Sequence, residues 1–282
     1  MKGDLEKVLN KVSNELYTAM PLASVSESRL AAFLSNTICI LPCGGESKRM
    51  AGLTDKHKTA LDLPDGETLI SRTIRSYAAG GLRKFVLLVG VNAESVIKST
   101  KHLQKTGIEI VYCADPEKPV GRGGAILNAI LKGSIGPEEN AIVHNADDQI
   151  LGYPGNFLYD ICKAHIGHQR AGGLVTAIMA LSTPYAYTAF KVTGGRITDI
   201  ITTPEIPVPA HIGVTVMSPA IYPMFKELFN LQEKKDFEGY LFPILAKAEQ
   251  LFAFGIPGSC WYPVNNPKEY EKLVKALQAG NK

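Results

Sequence analysis

The chain has little of what marks a secreted, membrane-spanning or nucleic-acid-binding protein. Its 282 residues include only five cysteines, Cys39, Cys43, Cys113, Cys162 and Cys260. An odd number without paired short spacing excludes a disulfide framework and a zinc site, so reduced thiols in a cytoplasmic protein are expected. No apolar stretch is long enough to span a bilayer, which excludes a transmembrane helix. The formal charge of +3 is small and its Lys and Arg are scattered, which excludes nucleic-acid binding by phosphate neutralisation. Internal repeats and low-complexity segments are absent. The histidines, His144 and His211 among them, have no Ser or Cys partner at recognisable spacing, so no catalytic triad is expected and they are read as structural.

What is present is an apolar content of 45%, ample for one sizeable domain with embellishments. Residues 1–36 form a helical extension, with Leu5, Val8, Leu9, Val12 and Leu16 at helical spacing, a break around Pro21 and a capped restart at Ser26 or Ser28. This pattern is amphipathic and is not a secretory signal. Docking on the domain is the simpler role for it; a homo-oligomer contact is the alternative. From residue 37 strands at 37–41, 84–90, 108–113 and 141–145 alternate with helices at 68–79, 93–105 and 124–132. Such alternation predicts an α/β fold, a Rossmann-like three-layer α/β/α arrangement around a mostly parallel sheet, with ligands at the carboxyl ends of the strands. Beyond residue 150 the pattern changes. A helix near 157–165 precedes strands at 173–181, 188–192, 197–202 and 212–217, read as antiparallel, with a Gly194-Gly195 hairpin turn. Helices at 219–229 and 237–248, a strand at 251–254 and a helix from Pro267 close the chain.

The first strand, Thr37-Ile38-Cys39-Ile40-Leu41, runs directly into Pro42-Cys43-Gly44-Gly45-Glu46-Ser47-Lys48-Arg49-Met50. Adjacent glycines let backbone N–H groups approach an anion without an intervening Cβ, and Ser47, Lys48 and Arg49 add donors and positive charge. Lys58, heading Lys58-Thr59-Ala60-Leu61-Asp62-Leu63, brings a second cation to the same mouth of the sheet. A glycine-rich loop of this kind also occurs as a simple turn, but here its register is specific. Gly44-Gly45-Glu46-Ser47-Lys48-Arg49-Met50, then Leu53-Thr54 and Lys58-Thr59-Ala60, resembles the signature of the nucleotidyltransferases that join a nucleoside triphosphate to a sugar phosphate. Pro42 and Cys43 stand where that family usually has alanine or glycine.

The resemblance implies a GT-A-like nucleotidyltransferase fold over 37–282, with a nucleotide-binding half at 37–150 and an antiparallel acceptor-binding part at 151–282. It implies Mg²⁺ on Asp147, at the end of the strand Ala141-Ile142-Val143-His144, with Asp148 as a spare carboxylate able to reach the metal through water. Turn formation is the plainer role of a strand-terminal Asp. Trp261-Tyr262-Pro263-Val264-Asn265-Asn266-Pro267 resembles the family's closing segment, which makes Asn265 the second metal ligand; Asn266 reads as an N-cap. Leu41, Cys43, Gly44, Gly45, Ser47 and Lys48 are the implied nucleotide contacts, together with Gly121, Gly123 and Gly124, the last two as a close approach to the base. Arg122 replaces a small residue there. The family's Glu-Lys-Pro acceptor segment falls at Ile200-Ile201-Thr202-Thr203-Pro204, without its charges, which leaves Lys191 and Thr203 as acceptor contacts. The implied chemistry is in-line attack of an acceptor phosphate on the α-phosphate with loss of pyrophosphate, Arg49 holding the triphosphate, Lys58 bridging the α-phosphate and the acceptor, and Asp147 aligning the metal. Two other readings are weighed against it: a GT-A-type glycosyltransferase consuming a nucleotide sugar, although Asp147-Asp148-Gln149 is not an Asp-x-Asp motif, and a non-catalytic nucleotide sensor.

Overall fold

The computed structural model describes residues 3–22, 24–45 and 54–280. Ser47, Lys48 and Arg49 lie outside the described residues.

β1 (Thr37–Cys43) is buried along almost its whole length. Its side chains alternate between two cores: Cys39, Leu41 and Cys43 enter one, Ile38 and Ile40 the other. A strand covered on both faces must sit inside a sheet with helices above and below. β1 accordingly pairs in parallel with β2 (Lys84–Val89) and with β4 (Asn140–His144), and β2 pairs in parallel with β3 (Glu109–Ala114). The crossovers are helical. α3 (Leu69–Ala79) starts at a reciprocal cap between Thr68 and Ser71, α4 (Ala93–Thr100) follows β2, and α5 (Gly121–Leu131) follows β3. The helix expected over 93–105 gives way after Thr100, whose hydroxyl bonds back to the Val96 carbonyl at 2.8 Å, to a 3₁₀ stretch over Lys101–Thr106.

Past residue 150 the expected antiparallel strands appear, and the long ones join the same sheet as the parallel strands. After β5 (Asp148–Ile150) and α6 (Phe157–Arg170), β6 (Val175–Ala180) enters the same sheet as β1. So does β11 (Ala210–Met217), antiparallel to both β4 and β6, while β12 (Leu251–Ile256) runs parallel to β6. Among the described residues the strands form one seven-stranded sheet ordered β12-β6-β11-β4-β1-β2-β3. The reason is burial: Val175, Ile178, Ile212, Val214, Val216 and Met217 are almost completely shielded, and such strands cannot lie in a one-sided sheet. What lies outside is short. β7 (Thr183–Pro184) pairs with β10 (Glu205–Ile206), and β8 (Ala189–Thr193) with β9 (Arg196–Ile201) across Gly194 and Gly195, both at positive φ as a type I′ turn requires.

Helices α3, α4 and α6 cover one face of the sheet; α5, α7 (Tyr222–Leu228) and α8 (Phe237–Lys247) cover the other. β13 (Trp261–Pro263) pairs with β5, and α9 (Pro267–Gly280) buries Leu273 and Leu277 against Leu61, Leu63 and Leu69. In the N-terminal extension, preceding β1, α1 (Asp4–Leu16) buries no residue and is tied to the β8–β9 hairpin, the Leu5 N–H donating to Asp199 at 2.8 Å. α2 (Glu27–Ser35) begins at Ser26, whose hydroxyl accepts from the Arg29 N–H, and docks through the buried Leu30. Among the described residues no helix is long and apolar enough to cross a membrane.

Candidate active site

The carboxyl ends of the central strands open into a cavity of about 1120 Å³. Residues following β1 (Gly44, Gly45), β2 (Gly90), β3 (Asp115) and β4 (Asp147) line it, as do Gly213 of β11 and Asn265 beyond β13. This is where an open α/β sheet offers its ligand site.

Lys58 and Asp147 meet on its wall. Lys58 opens a 3₁₀ turn, Lys58–Ala60, capped by His57, and its ammonium donates to Asp147 Oδ2. His57 Nδ1 accepts from the Thr59 N–H at 3.3 Å and lies 2.8 Å from the Thr59 hydroxyl, which puts the ring proton on Nε2. Burial, assisted by the neighbouring Lys58 charge, pushes this imidazole down to about 4, so it is neutral at physiological pH.

The end of β4 is braced from three sides. His144 Nε2 donates to the Asp148 carbonyl at 2.7 Å and its Nδ1 accepts from the Tyr77 hydroxyl at 2.8 Å. Gln149 donates to the Leu69 and Ala146 carbonyls. Asp148, expected as a spare metal contact, also lines the cavity, and its carboxylate accepts from Trp261 Nε1 at 2.8 Å and from Asn145 at 3.4 Å. Burial and the adjacent Asp147 push it up to about 8. Asp147 faces the cavity. Its carbonyl accepts from the Val264 N–H at 2.9 Å, which carries Asn265 to the same wall. The Asn265 backbone is pinned by Glu269 at 2.6 Å, and Asn266 caps α9 by accepting from the Glu269 N–H at 3.1 Å, as the sequence indicates.

These two oxygen donors suit a hard dication. Asp147 offers a carboxylate, and no hydrogen bond engages the Asn265 side chain among the described residues. Mg²⁺ takes one or two such protein ligands and completes its shell with phosphate oxygens and water. No group of three or more His, Cys, Asp or Glu that could hold a metal occurs among the described residues.

Several expected contacts fall elsewhere. Leu41 and Cys43 line no part of the cavity; both side chains are fully buried in the core, and burial pushes the Cys43 thiol up to about 12, which leaves only their main chain available to a ligand. Gly121 does line the cavity, but Gly123 and Gly124 do not: a Cβ on the first would strike the Phe229 ring and on the second Val120, so their smallness serves packing. Lys191 and Thr203 are absent from the lining, and Lys191 pairs with Asp4 of α1 at 3.0 Å because the β8–β9 hairpin lies outside the main sheet. The structural reading of His144 fits its bonds. His211 bonds within β11 to Thr215 at 3.0 Å, yet it also lines the cavity.

Two carboxylates there escaped the sequence reading. Asp115 follows β3 and packs against Gly44; burial pushes it up to about 6 against the opposing Lys132 charge. A signal for it exists, since Ala114-Asp115 at the end of β3 repeats the Ala146-Asp147 pattern after β4. Glu238, on α8, has no such signal; it pairs with Arg122 at 2.7 Å.

Fold and cavity together define an α/β protein with a large cavity at the carboxyl edge of its sheet, where such folds place their ligands. Residues 39–175 match the model of the MobA-like NTP transferase domain family. A mannose-1-phosphate guanylyltransferase 1 of Arabidopsis thaliana is 26% identical over 230 residues, 80% of this chain and 61% of that protein. A bifunctional IPC transferase and DIPP synthase of Aquifex aeolicus (strain VF5) is 24% identical over 238 residues, covering 84% and 51%. The chain thus spans about three fifths or less of the length of these curated relatives. Among solved structures, a UDP-glucose pyrophosphorylase complexed with UDP-glucose superposes with a TM-score of 0.64 at 18% identity, covering 86% of this chain and 99% of that one. A putative glucose-1-phosphate thymidylyltransferase from Bacillus anthracis gives 0.64 at 14% identity, covering 85% and 94%. The resemblance to nucleotidyltransferases read from the loop motif is borne out, and the fold matches theirs.

Proposed function

We propose that this protein transfers a nucleoside monophosphate from a nucleoside triphosphate to a sugar 1-phosphate or similar phosphorylated acceptor, with release of pyrophosphate. The observation that carries this reading is the meeting of Lys58, Asp147 and Asn265 on one cavity wall at the ends of the parallel strands. Asp147 and Asn265 are the residues that would hold Mg²⁺, which when bound supplies positive charge at the phosphates. The Lys58 ammonium exchanges its Asp147 partner for phosphate oxygen, holding the α-phosphate and the incoming acceptor in line and offsetting the charge that builds as pyrophosphate leaves. Gly44 and Gly45 present backbone beside the phosphates. Arg49, with Lys48 and Ser47, is assigned from the loop motif to the triphosphate.

Asp115 reads the base. A carboxylate accepts N–H bonds and repels carbonyl edges, so guanine, with two adjacent donors, is favoured over uracil or thymine. The nucleotide groups come mainly from the ends of β1–β4, while the acceptor side draws on β11 and α8 as well as on Lys58. All five cysteines are unpaired and buried, which supports a reducing, cytoplasmic location.

A pyrophosphate-release assay across ATP, GTP, CTP, UTP and dTTP, with and without sugar 1-phosphates, tests the reading. Acceptor-dependent release is expected, with GTP preferred. Consumption of a nucleotide sugar without pyrophosphate would instead make the protein a glycosyltransferase, and nucleotide binding without either reaction would make it a sensor.

A further inference from the structure

Three side-chain polar atoms among the described residues are buried without a hydrogen-bond partner: His57 Nε2, Asp115 Oδ1 and Glu238 Oε2. All three residues line the large cavity. Buried polar atoms in native proteins are nearly always bonded, so orphans that all line one cavity mark places where a ligand completes the bonding. His57, with the backbone of Gly45 beside it, adjoins Lys58, and Asp115 stands at the end of the edge strand β3. Glu238 belongs to neither group.

Its place follows from its neighbours. Arg122 lies over the Phe237 ring at 5.8 Å, Phe237 is 5.7 Å from Phe242, and Phe242 is 5.5 Å from His211 on β11. The Arg122 charge also adds to burial in holding His211 down to about 4. Glu238 and Arg122 thus belong to the β11 side of the cavity. In the sheet order β11 and β3 are four strand spacings apart, roughly 19 Å at about 4.8 Å each, so Glu238 and Asp115 serve opposite ends.

The pair is held rigidly. Arg122 donates to Glu238 Oε1 at 2.7 Å, and through its backbone N–H and Nε to Asp236 at 3.0 and 3.3 Å. The Lys235 N–H donates to the Val120 carbonyl and the Gly123 N–H to the Lys235 carbonyl, both at 3.0 Å, strapping the start of α8 onto the start of α5. Charge at this end is balanced: Arg122 and Lys234 face Asp236 and Glu238, all four in the lining. A balanced end with one open carboxylate oxygen beside a fixed guanidinium suits a neutral group that both donates and accepts, and suits neither a second anion nor a cationic head.

We propose that Glu238 and Arg122 read the hydroxyls of a polyol or sugar portion of the phosphorylated acceptor, Glu238 Oε2 accepting from one hydroxyl and the Arg122 edge donating to its neighbour. The proposal rests on the nucleotidyltransferase reading. It makes Glu238 a specificity residue for the acceptor and leaves the nucleotide untouched.

The test compares Glu238→Gln and Arg122→Lys with the wild type, each checked by thermal melting. Probes are mannose 1-phosphate, glucose 1-phosphate, inositol 1-phosphate and, as an acceptor lacking vicinal hydroxyls, phosphocholine, with isothermal titration of GTP alone as control. We expect Glu238→Gln to raise the acceptor KM roughly 10- to 100-fold, the loss typical of a hydrogen bond to a charged group, with GTP affinity and kcat within about threefold. An unchanged acceptor KM in both variants overturns the proposal, as does wild-type preference for phosphocholine. If one variant does not fold, the other decides. Absence of pyrophosphate release with every probe in the wild type counts against the nucleotidyltransferase reading itself, a result distinct from release that Glu238→Gln leaves unaltered.

Discussion

The backbone N–H of Val264 donates to the carbonyl of Asp147 at 2.9 Å, joining the end of β4 to a segment more than a hundred residues later. That bond sets Asn265 beside Asp147 on the cavity wall. It is how two oxygen donors from distant parts of the chain come to face the same space.

For the Lys58–Asp147 pair we expect Lys58→Ala and Asp147→Ala each to lower kcat by roughly 10²- to 10⁴-fold, the range of lost charge stabilisation at a reacting phosphate. Both groups are largely shielded, so each variant also leaves a buried partner uncompensated and melts at a lower temperature. Steady-state pyrophosphate release and thermal melting check the two effects separately. Turnover near that of the wild type in either variant removes that residue from the site.

Asn265→Ala removes an amide oxygen and no charge. The Mg²⁺ concentration giving half-maximal activity should rise roughly tenfold, about 1.4 kcal/mol, with kcat at saturating metal little changed. Titration of GTP with and without Mg²⁺ should show the loss only in the metal's presence. An unaltered metal requirement leaves Asp147 as sole protein ligand.

Asp115 makes the stability of the protein depend on pH. Its folded value, about 6, lies above the unfolded value of about 3.9. Between these the folded state binds the extra proton, so stability falls as pH rises from about 4 to about 6 and stays at the lower level above that. Asp115→Asn lacks this loss. Its melting temperature should therefore gain on the wild type by more at pH 7.5 than at pH 4.5, and its preference for GTP should weaken. A difference in melting temperature independent of pH would show that Asp115 titrates normally.

Gly213 has φ +71°, and a Cβ there would run into Asn145 and Asp148. Its carbonyl also accepts from the Asn145 N–H at 3.0 Å, so the close approach cannot simply relax. We expect Gly213→Ala to destabilise the protein by on the order of 2 kcal/mol or more and to disturb the turn that presents Asp147. Urea unfolding checks the first; a rise in KM for both substrates checks the second. Wild-type stability would mean that the turn moves freely.

Much of the fold is legible along the chain. The apolar runs at 37–41, 84–90, 108–113 and 141–145 appear as β1 to β4 with their ends shifted by one or two residues, because burial on both faces writes itself as a continuous apolar run. Lys58, Asp147 and Asn265 are picked out for a different reason: each sits in a segment that resembles the nucleotidyltransferase pattern, a lysine after the glycine loop, an acid at a strand end, and an Asn in the closing Trp-to-Pro segment. Lys191 and Thr203 mislead because strand residues at 188–192 and 197–202 look the same whether their strands join the main sheet or, as here, form a hairpin tied to α1.

Local periodicity and turn chemistry were enough to establish alternating strands and helices, a phosphate-suited loop after the first strand, and a strand-terminal acid, since each is a property of a few neighbouring residues. Packing settled the rest. That β11 lies between β4 and β6, that Gly123 yields to Phe229 and not to a base, and that Asp115 and Glu238 are shielded yet unpartnered all depend on contacts between residues tens to hundreds apart. A carboxylate's role is set by what surrounds it, and no stretch of chain carries its own surroundings.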